Sequence, residues 1–157
     1  MALTKVTGGL LGNLPTGTNN VAVGDTALDS ITSGATDNVA IGSAAGTALT
    51  TGIRNVLIGY LAGDALTDAD ENIAIGKSAL SLDTLGSRTT AIGKSALSNQ
   101  NFTSATNSYN VALGYEAGKA VTTGINNTLI GSTAGDALTD ADANVAIGQE
   151  ALSTDTL

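Results

Sequence analysis

The sequence contains no cysteine, histidine or tryptophan, and its 157 residues include one proline, one methionine and one phenylalanine. Without cysteine there can be neither a disulfide framework nor a thiolate metal site. Without histidine the usual proton shuttle and imidazole ligand are missing as well, and no Gly-Lys-Ser/Thr phosphate loop is present. Aromatics make up 3% of the chain although apolar residues reach 42%, because the apolar share is largely Ala with Val, Ile and Leu. Side chains this small suit a thin core with closely approaching backbone. Bases are scarce, six against fourteen acids, for a formal charge of −8. That balance argues against nucleic acid as a partner, since a phosphate grip needs clustered Lys and Arg. The scattered acids read as a solvated surface. No run approaches the roughly 20 apolar residues that span a bilayer, so no membrane insertion is expected. The first residues also lack the basic start and apolar run of an export signal.

What the chain does have is one phrase, Asn38-Val39-Ala40-Ile41-Gly42, repeated from end to end. Units begin at 20, 38, 55, 72, 89, 110, 127 and 144, spaced by 18, 17, 17, 17, 21, 17 and 17 residues. A short fixed period is the signature of a solenoid, in which each unit buries its apolar residues only against its neighbours. Residues 1–19 read as a cap or degenerate rung and 20–157 as the repeat body. The units starting at 38, 55 and 72 match those at 110, 127 and 144, an offset of 72 residues that points to duplication of a four-unit block. The final unit stops after 14 residues, as expected of a segment from a longer fibre.

The columns of the repeat show what is constrained. The fifth residue is always Gly (Gly24, Gly42, Gly59, Gly76, Gly93, Gly114, Gly131 and Gly148), as a corner requires. The eighth is always Ala. The ninth alternates between Leu and Gly, and where it is Gly the twelfth supplies a Leu or Val, so volume is exchanged between two places. Val and Ile at the second and fourth positions predict a short strand. The third position is Ala or Leu (Ala22, Ala40, Leu57), so the strand is apolar on both faces and needs cover on both. The coil itself fills one face. The small third-position residues are expected to face another subunit, which makes the chain an oligomer. The second arm carries a helical spacing, as in Ala45 and Leu49, but about seven residues is too short for a self-stable helix. A short strand or irregular arm is expected, with a short helical turn as the alternative. The first-position asparagines (Asn20, Asn38, Asn55, Asn72, Asn110, Asn127 and Asn144) and the thirteenth-position threonines predict polar ladders along the stack.

Val-Ala-Ile-Gly-x-x-Ala, recurring at 39–45, 73–79 and 145–151, resembles the repeat of trimeric autotransporter adhesin heads and repeats of bacteriophage tail fibres. The resemblance implies an all-β fold, a left-handed parallel β-roll with three chains around one axis and the Ala-Ile-Gly strand turned inward. It also implies an extracellular setting on a virion or a bacterial surface, with a host glycan or receptor as the further partner. The unit here is longer than is usual in those heads, so an enlarged second arm or outer loop is expected.

No catalytic constellation emerges. Asp68, Asp70 and Glu71, and again Asp140 with Asp142, could supply a carboxylate pair or hard oxygen ligands, but their recurrence with the repeat is what a copied turn shows. The Gly-rich nonapeptide of calcium β-rolls is also missing. No enzyme activity, cofactor or metal is expected. Candidate ligand contacts are the aromatics Tyr60, Phe102, Tyr109 and Tyr115, of which Phe102 lies within the extra residues of the one 21-residue unit and Tyr109 just after them, because loops that depart from a repeat concentrate function. Phe102 could instead replace a missing core aliphatic. The single rank of threonines is a poor match to the flat Thr-x-Thr face of an ice-binding solenoid. The expected role is a structural fibre or adhesin segment, with glycan or receptor binding as the alternative.

Overall fold

The computed structural model describes residues 17–154 as a parallel β-solenoid; the expected cap over 1–19 lies almost wholly outside that range. Eight three-residue strands stack in one sheet: β1 Val21–Val23, β2 Val39–Ile41, β3 Val56–Ile58, β4 Ile73–Ile75, β6 Thr90–Ile92, β8 Val111–Leu113, β9 Thr128–Ile130 and β10 Val145–Ile147. Each pairs in parallel, in exact column register, with the strand one coil away, so Ala22 lies over Ala40, Ala40 over Leu57 and Leu57 over Ala74. Two further strands, β5 Gly86–Ser87 and β7 Thr106–Asn107, pair beside the 21-residue unit. There is no helix among the described residues.

The strands are short because each runs into a corner that only glycine can turn. Gly42 sits at φ +134°, and a Cβ there would lie 2.6 Å from the carbonyl oxygen of Gly59 in the next coil. The column is therefore glycine twice over, for its backbone angle and because coil meets coil backbone to backbone.

The second arm is a run of turns, and the helical alternative is not formed. Its ninth residue has positive φ whether it is Leu (Leu28, +51°) or Gly (Gly46, +60°), which breaks a right-handed helix. The same residue's amide is committed to the next coil, Leu28 N donating to Ala45 O and Gly46 N to Ala62 O. Stacking has taken the donors a helix would have used. Further rows run through the thirteenth residues, Thr50 N donating to Thr67 O with Thr50 Oγ1 donating to the same oxygen.

The faces of the strand are the reverse of the expected arrangement. Ala40, Leu57, Ala74, Ala91, Ala112 and Leu129 are fully buried inside the chain's own coil, and the Val and Ile of the second and fourth positions point out. The physical reason is room. Leu57 and Leu129 occupy the space that glycine leaves at the ninth position: a Cβ on Gly46 would meet Leu57 Cδ1 at 2.6 Å, and one on Gly118 would meet Leu129 Cδ1 at 2.7 Å. Third, ninth and twelfth positions thus share one thin core.

The 21-residue unit changes the chemistry of that core. The twelfth position, aliphatic at Leu49, Leu66, Val121 and Leu138, becomes Asp83 and then Gln100, both fully buried. Gln100 Nε2 donates to Asp83 Oδ2 (2.6 Å) and to Thr89 Oγ1 (3.0 Å), while its Oε1 accepts from Asn110 Nδ2 (2.8 Å). Asp83 Oδ1 accepts the amides of Gly86 and Phe102. The cluster is buried and well supplied with partners, as polar groups in a core must be.

Candidate functional site

Asparagine at the first position threads the coils together. Asn38 Oδ1 accepts the amide of Asn55, whose Oδ1 accepts the amide of Asn72, and each Nδ2 spans its own coil to a carbonyl, Asn38 to Gly52 and Asn55 to Ala69. Thr89 interrupts the column because it has no amide carbonyl to offer. There the inserted Ser108 substitutes: its Oγ accepts Asn110 N at 3.2 Å and lies 2.6 Å from Thr89 Oγ1. These are buried structural links with no free group to present to a ligand.

The accessible chemistry lies on the outer face of the sheet. Strand alternation puts the second and fourth residues on one side, and of these sixteen side chains fourteen are Val, Ile or Leu, two are Thr (Thr90 and Thr128), and none is buried. Val21 is 46% exposed and Leu113 44%. Two rims border this apolar floor. Along one run Arg54, Glu71, Arg88 and Tyr109: Arg54 Nη1 and Arg88 Nε bind the two oxygens of Glu71 at 2.8 and 2.9 Å, and Arg88 lies 5.9 Å from the Tyr109 ring centre. Along the other, Lys77 stands 5.8 Å from the Tyr60 ring and Lys94 5.1 Å from the Tyr115 ring. Four of the chain's six bases stand on these rims. The hydrogen bonds from Arg88, and then Arg54, hold the Glu71 carboxyl below its ordinary range.

Of the aromatic candidates, Tyr60, Tyr109 and Tyr115 are exposed and lie on these rims. Phe102 is not a contact residue: at 6% exposure it packs in the inserted coil, its amide held by Asp83 and its carbonyl taken by Leu85 N. The apolar bulk of these two coils is held at the ninth position by Leu80 and Leu97, both fully buried, which leaves the twelfth free to be Asp83 and Gln100.

The recurrent acids serve turns. Asp70 Oδ1 accepts Ile53 N (2.9 Å), Asp142 Oδ1 accepts Ile125 N (2.7 Å) and Asp68 Oδ1 accepts Thr51 Oγ1 (2.6 Å). No three acids converge as metal ligands among the described residues. Beside the inserted loop a polar cleft of about 330 Å³ is lined by Asp68, Asp70, Ser87, Arg88, Thr106 and Asn107. On the second arm Asp64 Oδ1 and Asp136 Oδ1 are buried without a hydrogen-bond partner among the described residues, and burial pushes the Asp64 carboxyl up.

Compared with family models, with curated proteins and with solved structures, the chain matches none.

Sequence reasoning missed the floor and its rims as one surface. The rim columns differ from coil to coil, so no motif announces them; the signal available was that Val and Ile recur at two positions in a chain whose core is filled by Ala and Leu.

Proposed function

We propose that this chain is a structural segment, a homotrimeric rod that spaces and stiffens a host-attachment fibre on a virion or a bacterial surface, with no catalytic role. The observation that carries this reading is the apolar floor running open along the sheet on all eight coils, which a lone chain would leave wet. Eight coils at a rise of about 4.8 Å make a rod of roughly 40 Å. The resemblance of the motif to adhesin-head and tail-fibre repeats supplies the extracellular setting. Sedimentation equilibrium tests the assembly: a mass three times the 15.4 kDa of the chain is expected, and a monomeric mass overturns it.

A second reading is that the segment itself binds a host glycan or receptor. The three exposed tyrosines and the polar cleft favour it. A glycan array on the isolated segment separates the two, binding that is lost with Tyr60→Ala or Tyr109→Ala favouring the second. The threonine hydroxyls of Thr50, Thr67 and Thr122 are used between coils, which weighs against ice contact.

A further inference from the structure

We infer that Lys77 and Lys94, stacked in adjacent coils, form a clasp for a tetrahedral oxyanion, a phosphate or sulfate group carried on a larger molecule. The inference rests on neither reading above, and its failure leaves both standing.

The pairing of bases provides the first argument. Where acids outnumber bases fourteen to six, a base finds a carboxylate easily, and three of the five described bases do. Arg54 and Arg88 share Glu71 at 2.8 and 2.9 Å, and Lys119 holds Glu116 at 3.1 Å. Lys77 and Lys94 have no ion-pair partner among the described residues. They leave the same column of consecutive coils, about 4.8 Å apart at the backbone, and the column offers them only Tyr60 and Tyr115 on either side. Like charges placed together without a counter-charge repel each other and concentrate external anions.

The second argument is the duplicated corner. Residues 74–81 and 91–98 are the same sequence, Ala-Ile-Gly-Lys-Ser-Ala-Leu-Ser, and no other adjacent coils agree in the two residues after the corner glycine. Stacking sets the identical corners one over the other and adds the hydroxyls of Ser78 and Ser95, partly exposed and without a hydrogen-bond partner among the described residues. Each ammonium brings three donors and each hydroxyl one. A carboxylate, with two oxygens and one charge, would use a fraction of this set. A tetrahedral dianion matches it in charge and in number of oxygens.

The third argument is how the lysines are held. Lys77 Nζ lies 5.8 Å from the ring centre of Tyr60, one coil before it, and Lys94 Nζ 5.1 Å from that of Tyr115, one coil after. Each ammonium is drawn onto its own ring, so the pair leans apart along the column. Glu116 does not fill the role of the missing anion: its carboxyl is lowered first by the Tyr115 hydroxyl and then by Lys119, with Lys94 contributing least. Two bases are too few for a nucleic-acid track, and the fit is to a single anionic group.

The test titrates the unaltered protein with sodium phosphate at fixed ionic strength and follows the backbone amides by heteronuclear correlation spectra. Saturable shifts are expected at Lys77, Ser78, Lys94 and Ser95, with sodium sulfate acting on the same amides and sodium chloride or acetate saturating none of them. Lys77→Gln with Lys94→Gln is expected to weaken phosphate binding at least about tenfold at unchanged far-ultraviolet circular dichroism. Lys77→Arg with Lys94→Arg keeps both charges and is expected to keep binding, and Lys119→Gln serves as the control. Glycerol 3-phosphate and vesicles containing phosphatidic acid then separate a soluble phosphate monoester from a lipid headgroup as the source, and either supports the clasp when its binding is lost with both lysines. Shifts that do not saturate, that chloride reproduces, or that persist in the double glutamine variant overturn it.

Discussion

Gln100 donates to Asp83 across 2.6 Å in a core column that elsewhere stacks Leu49 on Leu66. The pair identifies one junction among otherwise similar ones. Two near-copies of a four-unit block offer the chain alternative stacking registers, and a carboxylate that must meet an amide tells one coil which neighbour is its own. Gln100→Leu removes one donor from the buried Asp83 carboxyl, which keeps the amides of Gly86 and Phe102, and a loss of about 1–3 kcal/mol is expected in urea unfolding. With Asp83→Ala added, the combined loss should fall short of the sum of the singles by about 1 kcal/mol or more; strict additivity would mean the pair is not coupled.

Leu57 and Gly46 form a second coupled pair. Leu57→Ala empties the space over two glycines and should cost about 2–5 kcal/mol. Gly46→Ala alone overpacks against Leu57 Cδ1 and is destabilising. In the Leu57→Ala background the same change should cost less, because the methyl then enters a vacancy. Thermal melts of the four proteins check this, and equal costs in both backgrounds would contradict the shared compartment.

These leucines also show what could be read in the sequence. Strand positions, coil boundaries and corner glycines were legible because each recurs with the period. The inside and outside of the strand were not, because both faces are apolar and alternation alone cannot choose between them. The decisive clue is volume: Leu57 and Leu129 occur only where the ninth residue of their own and the preceding coil is Gly (Gly46, Gly63, Gly118 and Gly135), which puts the third column in the chain's own core. Asp83 and Gln100 were hidden for the opposite reason. A polar residue in a core column looks like a surface residue until its partners, here drawn from three successive coils, are brought beside it.

Gly42→Ala tests the corner. The residue would have to hold φ near +134° and place a methyl 2.6 Å from the Gly59 carbonyl oxygen. A loss upwards of about 2 kcal/mol is expected, with amide exchange accelerated first in the coils on either side. A near-neutral outcome would show that the coils can separate at the corner.

Acid should act on two carboxyls in opposite directions. Burial raises Asp64 above its ordinary 3.8, so the folded chain binds that proton more tightly than the unfolded one; the penalty is full above the raised value and disappears below 3.8. Asp64→Asn is therefore expected to melt higher than the parent at neutral pH, with the advantage shrinking as pH falls. Glu71 is lowered from 4.5 by Arg88 and Arg54, so its contribution is present above 4.5 and is lost as pH drops through the lowered value. Glu71→Gln should lower the melting temperature slightly at neutral pH and not at all in strong acid, and salt should reduce the difference because the pair is exposed. Melts across pH at two salt concentrations measure both.

The rows of hydrogen bonds between coils all point along the solenoid axis, and this decides how the segment bears load. Tension applied along the solenoid axis would pull on the strand, turn, threonine and asparagine rows of one junction together, and on successive junctions in series, so failure would begin wherever a single junction is weakest. A coil that peels away releases 17 residues of slack, on the order of 55 Å of extended chain in place of about 4.8 Å of rise. A solenoid stretched from its two ends is therefore expected to resist until one junction yields and then to lengthen by a fixed step, one rung at a time.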